Sequence, residues 1–170
     1  GQHLLDFWLR NAGRTLTPAQ KQHVLTCFEQ VGLPLYLKFA FEEARLWHSY
    51  EQPTALKIGL QQIIKENLFA RLSELINHGK DLVKAALTSI VAARNGLSET
   101  ELLDVLAKDS ELHDVLTERY EHAEFDQDEI PIVLWARLQS DLSPYMTERR
   151  VDGIRTLGFY HRQIDAAIES

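Results

Sequence analysis

At 170 residues, 45% hydrophobic and with a net charge of −7, the chain has apolar material for one globular domain or two small ones, and is neither disordered nor low-complexity. Its acidity disfavours non-specific attraction to nucleic acid or to an anionic membrane, leaving room only for a local basic patch. The single cysteine, Cys27, excludes an intramolecular disulfide and points to an intracellular, reducing compartment, and no run approaches the ~18 apolar residues of a membrane span.

Residues 3–12 put Leu4, Leu5, Trp8 and Leu9 on one helical face, and Gly13 ends that pattern. Thr17-Pro18-Ala19-Gln20 is a capping box, with Thr at the N-cap, Pro at the first helical position and Gln at the third. The helix it opens runs to Val31 and carries Cys27 as a buried small hydrophobe. Gly32 tolerates the left-handed turn that stops this helix. Pro34 then opens another, because the first helical position has no use for the missing N–H. That helix extends to about Trp47 and buries Tyr36, Leu37, Ala40 and Ala44. Residues 49–54 form a loop, and a longer helix is predicted from about Leu56 to Asn77. Leu60, Ile63, Ile64, Leu68, Leu72, Leu75 and Ile76 recur there at helical spacing, until His78-Gly79 breaks the pattern.

Residues 80–94 bury Leu82, Val83, Ala86, Leu87, Ile90 and Val91, and Asn95-Gly96 ends the helix. Ser98-Glu99-Thr100-Glu101 is a second capping box, with Leu97 placed to staple onto Leu102, and its helix reaches about Ala107. Residues 110–122 make a weaker, more charged helix. Ala123 to Glu129 is an acidic loop, and Pro131 opens a helix that reaches Leu142 with Trp135 in the core. The period then falls to two. Tyr145 to Val151 and Ile154 to Tyr160 flank Asp152-Gly153, a dipeptide suited to a type I′ hairpin turn. A last helix starts near His161 and carries Ile164, Ala167 and Ile168.

The expected fold is therefore mainly α. A helical domain occupies residues 1–78, with its boundary at His78-Gly79. The order of elements over residues 79–170 is that of a winged-helix domain, with one small β-hairpin and with helix 110–122 inserted. No internal repeat is evident. The start at Gly1 rather than Met, and the end soon after a helical pattern begins, suggest a piece excised from a longer protein.

Three stretches then line up with one family. Gly32-Leu33-Pro34-Leu35-Tyr36-Leu37 is followed by Glu42-Glu43-Ala44 and Trp47. Gly96-Leu97-Ser98-Glu99-Thr100-Glu101-Leu102-Leu103 comes second. The third is Leu134-Trp135-Ala136-Arg137-Leu138 with Asp141-Leu142-Ser143-Pro144-Tyr145, closing on Phe159-Tyr160-His161-Arg162-Gln163. Together they resemble the helical and winged-helix domains of NACHT-type STAND ATPases, especially the telomerase-associated protein and nephrocystin branch. In that family these two domains follow a P-loop domain, fold over bound ADP and hold the resting state. The resemblance implies that Pro34 packs on adenine and that His161 contacts a nucleotide phosphate, with Arg162 as a second phosphate contact. It also implies ATP or ADP with Mg²⁺ in the parent protein. The implied partners are an upstream P-loop ATPase domain and downstream repeats of the same chain, with homo-oligomerisation of the parent.

The residues themselves leave plainer readings open. Pro34 is also an ordinary helix-start proline, His161 a half-exposed cap and Arg162 a solvated arginine; Trp8 and Trp47 read as packing residues. No G-x-x-x-x-G-K-[ST] loop is present, so the chain is expected to be non-enzymatic alone, with no catalytic residue and no cofactor of its own. Among seven histidines, His113 and His122 are too far apart for one helix face, and no H-E-x-x-H or Cys/His pairing occurs, so no metal site is expected. Two rival functions remain. One is a scaffold that docks a partner, with helix 110–122 as the candidate surface. The other is duplex binding through a helix at 131–142 and hairpin residues Arg149, Arg150 and Arg155; against it, that helix holds one cation, Arg137. Neither membrane nor nucleic acid is the expected partner.

Overall fold

Side-chain chemistry at the helix ends fixes much of the architecture. The computed structural model describes residues 1–93, 96–120, 129–151 and 153–170. Asn95, His122, the acidic stretch before Glu129 and Asp152 of the hairpin turn lie outside the described residues. Among the described residues the chain is mainly helical with one small two-stranded antiparallel sheet. It divides into two compact units, Gly1–Arg71 and Leu72–Ser170. That division falls earlier in the chain than the His78-Gly79 break.

In the first unit, α1 (Gln2–Asn11) buries Leu5 and Leu9, leaves Leu4 exposed, and rests Trp8 against Phe41 with ring centroids 5.6 Å apart. The capping box of α2 (Pro18–Val31) is reciprocal. Thr17 Oγ1 accepts the Gln20 N–H at 3.2 Å, and Gln20 Oε1 accepts the Thr17 N–H at 3.0 Å. Gly32 caps α2 at φ 71°, and α3 (Pro34–Ala44) follows at once. Tyr36, Leu37, Phe39, Ala40 and Ala44 of α3 are fully buried.

This helix stops short of Trp47. Arg14 Nη2 donates to the Trp47 carbonyl at 2.7 Å and holds that turn outside the helical ladder, with Trp47 still buried. Two buried glutamates on α3 are each neutralised. Glu42 sits between Lys38 and Arg45, both at 2.5 Å. Glu43 takes the Arg71 guanidinium through both oxygens, at 2.9 and 3.0 Å.

The long helix expected over 56–77 does not form as such. In its place stand a short α4 (Leu60–Gln62), a π-helical stretch Ile63–Phe69, and α5 (Ala70–Ser73). The cause is polar. Asn67 is buried in the π stretch; its Oδ1 accepts the Lys57 N–H at 2.8 Å and its Nδ2 donates to the Ala55 carbonyl at 3.0 Å. Residues 55–57 are thus held alongside the helix instead of joining it. Beyond Ser73, Leu75 and Ile76 are 76% and 83% exposed, so their helical spacing with Leu72 does not place them in a core.

The second unit is built around α6 (Lys80–Ala92), whose Leu82, Val83, Ala86, Leu87 and Ile90 are buried. Next come α7 (Glu99–Ala107), α8 (Ser110–Arg119) and α9 (Ile132–Leu142). The Ser98 box on α7 is also reciprocal, and the Asp109 carboxylate caps α8 by accepting the Leu112 N–H at 3.0 Å. Trp135, Leu138 and Leu142 are fully buried.

A 3₁₀ turn, Ser143–Tyr145, leads into the hairpin of β1 (Met146–Val151) and β2 (Ile154–Phe159), in register from Met146 opposite Phe159 to Val151 opposite Ile154. The Leu157 N–H donates to the Leu97 carbonyl at 2.7 Å, so the residue between α6 and α7 adds a bridge to β2. The chain ends with α10 (Arg162–Glu169). Helices α7, α8 and α10 and strand β2 all pack on α6. The turn before α6 is held by Arg119, which donates to the His78 carbonyl at 2.6 Å and to the Leu75 carbonyl, while His78 Nε2 meets Asp141 at 2.8 Å.

Candidate functional site

Where β2 ends, the Tyr160 N–H donates to the Tyr145 carbonyl at 3.1 Å, tying the exit of the hairpin to its entrance. That bond determines where the next residue stands. His161 is extended, at φ −142° and ψ 128°, and serves as the N-cap of α10. Its Nδ1 accepts the Gln163 N–H at 3.2 Å. A ring nitrogen that accepts carries no proton, so the neutral imidazole bears its hydrogen on Nε2. Ile164 and Ala167 are buried and anchor the helix beneath this cap. Half-buried itself, His161 thus presents an N–H donor at a helix N-terminus, where the backbone dipole already favours negative charge.

Arg162 occupies the first position of α10 and is exposed. A cation at the positive end of a helix runs against the dipole, a local conflict that a bound anion would relieve. Pro34 is exposed at the first position of α3 and lies in the first unit, whereas His161 and Arg162 are adjacent in the second.

The residues that sequence reasoning passed over are Asp165 and Thr156. Together with Arg149 they line a half-open cavity of about 330 Å³ beside α10, which Ile90, Gly96 and Phe159 line as well. Asp165 lies one turn after His161. Burial pushes its carboxyl above the ordinary carboxylate range and the Glu169 charge adds to this, while Arg149 and His161 oppose the shift. The i, i+4 spacing of His161 and Asp165 was the available signal. Gly96, at φ 80°, has no room for a side chain, since an added Cβ would meet Thr156 Oγ1 at 2.7 Å and the Leu157 carbonyl oxygen at 3.1 Å.

Cys27 is buried and free, and burial raises its thiol pKa despite a hydrogen bond with Tyr36 that works the other way. No group of three or more His, Cys, Asp or Glu side chains that could hold a metal occurs among the described residues. Nor is any described helix long and apolar enough to cross a membrane.

No known family profile and no solved structure matches the chain. It is similar to the human NACHT domain- and WD repeat-containing protein 1, at 36% identity over 164 residues, which is 96% of this chain and 10% of that protein. The mouse counterpart is 35% identical over 169 residues, 99% of this chain and 11% of the relative. Mouse NACHT and WD repeat domain-containing protein 2 is 31% identical over 163 residues, covering 95% of this chain and 9% of the relative. The chain spans about a tenth of the length of these curated relatives. Over nearly its whole length, this chain is homologous to one segment of the NACHT and WD repeat proteins.

Proposed function

We propose that this chain is the nucleotide-sensing and signal-relaying segment of a NACHT-type ATPase, without catalytic activity of its own. Its two units would be the helical and winged-helix domains that follow the P-loop domain. Support for the winged-helix reading comes from the order helix, bridging residue, helix, helix, helix, hairpin, with Leu97 paired to Leu157. The observation that carries the functional reading is the His161 cap. One ring nitrogen is spent on the Gln163 N–H, so the other is left as a donor of fixed tautomer. A phosphate of ADP, brought by the P-loop domain with its Mg²⁺, would accept from Nε2–H, and Arg162 would add a second, charge-assisted contact. Pro34, exposed at the start of α3, would supply an apolar face for adenine. Exchange to ATP would alter those contacts and bias the parent between a restrained and a released state.

The test is ADP calorimetry on the chain joined to its upstream P-loop domain, comparing wild type with His161→Ala and His161→Asn. Asparagine keeps a helix cap and lacks the ring donor. Loss of one charge-assisted hydrogen bond costs roughly 1.5–3 kcal/mol, about ten- to a hundred-fold in affinity. Both variants are expected to weaken ADP by that factor while His161→Asn keeps the wild-type melting temperature. Unchanged affinity in both would overturn the reading. Duplex binding is less well supported, since α9 offers one cation, Arg137.

A further inference from the structure

One face of α6 carries small side chains, Ala85, Thr88 and Ser89, on successive turns. With Val105 and Leu106 of α7 and Leu112 and Val115 of α8 they line an open groove of about 370 Å³. Val105 and Val115 are 46% and 39% exposed, so a ligand lying here would remove apolar surface from water. Ser89 is the polar group on this floor, and its hydroxyl already donates to the Ala85 carbonyl at 2.8 Å. Covering it therefore strands no donor.

The rim is acidic. Asp81, Asp109 and Glu111 line it, with Lys84 as a lining cation. Glu99, Glu101, Asp104, Asp114 and Glu118 of α7 and α8 are all exposed and extend the negative surface. Among the described residues, neither Asp81 nor Glu111 forms an ion pair. Their charge is thus left for a ligand to neutralise.

We propose that this groove is the docking site for a cationic amphipathic α-helix of a partner protein. From Asp81 to Ser89 the α6 stripe spans about 12 Å at 1.5 Å per residue, roughly two helical turns. A helix laid along it would seat apolar side chains spaced i, i+4 and i+7 against Val105 and Val115. Small side chains on the floor let its backbone come close. Charge complementarity selects the composition: Lys or Arg beside that apolar stripe meets Asp81 and Glu111 on the rim. The same surface repels a nucleic acid, an anionic membrane and a second copy of this chain, whose own net charge is −7. The inference stands apart from nucleotide binding, since Pro34, His161 and Arg162 do not line the groove.

Fluorescence polarisation of a labelled peptide is the test. The probe is a helix of about 18 residues, roughly five turns, with leucine on one face and lysine and alanine elsewhere. The full chain binds it at ~0.1 M salt, and binding weakens roughly tenfold toward ~1 M salt. A peptide of the same composition with its leucines dispersed around the helix binds roughly tenfold more weakly. Asp81→Lys with Glu111→Lys weakens binding by a similar factor, and so does Val105→Ser with Val115→Ser. Asp109 is left in place because it caps α8. Glu29→Lys with Glu169→Lys makes the same change in net charge at exposed residues that do not line the groove, and stays within about twofold of wild type. Lys84→Glu tightens binding several-fold, a gain that no misfolded variant would give. The proposal is overturned if wild type fails to bind or binds both peptides equally. It is overturned as well if the Glu29 and Glu169 control weakens binding as much as the rim reversal, if the valine variant binds as wild type does, or if Lys84→Glu brings no gain.

Discussion

Gly96→Ala tests the geometry of the second unit most sharply, because its cost separates into parts that other glycines isolate. Gly96 sits at φ 80°, where a side chain costs roughly 1–2 kcal/mol. The added Cβ would also stand 2.7 Å from Thr156 Oγ1 and 2.8 Å from Thr156 Cβ, inside the closest approach that real Cβ atoms make. Thr156 is buried and β-branched, so its side chain has little freedom to turn away. The hairpin must shift instead, and that shift strains the Leu97–Leu157 bond, worth about 1 kcal/mol net. The sum is about 3–6 kcal/mol once overpacking of roughly 1–3 kcal/mol is included. Gly32→Ala carries the strain without the clash, at φ 71° with nothing within 4 Å, and should cost only about 1–2 kcal/mol. Gly158→Ala carries neither and should lie within about 0.5 kcal/mol of wild type. Urea unfolding followed by circular dichroism and by tryptophan fluorescence reads all three. If Gly96→Ala costs no more than Gly32→Ala, the close approach of residue 96 to β2 is wrong.

Other outcomes follow from burial and charge. Cys27, buried and with its thiol pKa raised chiefly by desolvation, should react with a thiol reagent only as the first unit opens. Its labelling rate should therefore rise with urea in step with loss of helical signal, and rapid labelling in native buffer would contradict its burial. The Asp165 pKa lies above its unfolded value, so folding favours the protonated form. Its contribution is fully present below the unfolded pKa and is lost as pH rises through the folded one. Asp165→Asn should accordingly raise the melting temperature at pH 7 and lose that advantage below the ordinary aspartate range. A gain that grows on acidification would reverse the assigned sign.

Helix starts were legible because they depend on residues adjacent in sequence. Thr17 with Gln20, Ser98 with Glu101 and the Gly32–Pro34 corner all act within one turn, and each operates as read. The hairpin was legible from its change of period. The stretch after Leu56 was not, because its apolar residues recur at the three- and four-residue spacing of an α-helix and nothing in that spacing signals the i→i+5 bonding of a π-helix. What decides between them is Asn67 bonding backward to residues 55–57. The end of α3 likewise depends on Arg14, far away in sequence. At the site, His161 could be placed at a helix start from its neighbours. The use of its Nδ1 as a cap, and the cavity that brings Arg149 to Asp165, arise only when β1 and α10 are both in place.

The bridge between Leu97 and Leu157 also sets an order of events. All of α7, α8 and α9 and the first hairpin strand lie between the two residues, so closing the bridge encloses most of the second unit in one loop. Contacts so far apart in sequence form late, after local helices have shortened the effective loop and reduced its entropy cost. A nascent chain therefore cannot complete this unit until β2 has been synthesised. Any product ending before Leu157 leaves the Leu97 carbonyl without its partner and the packing face of α6 uncovered where β2 and α10 belong.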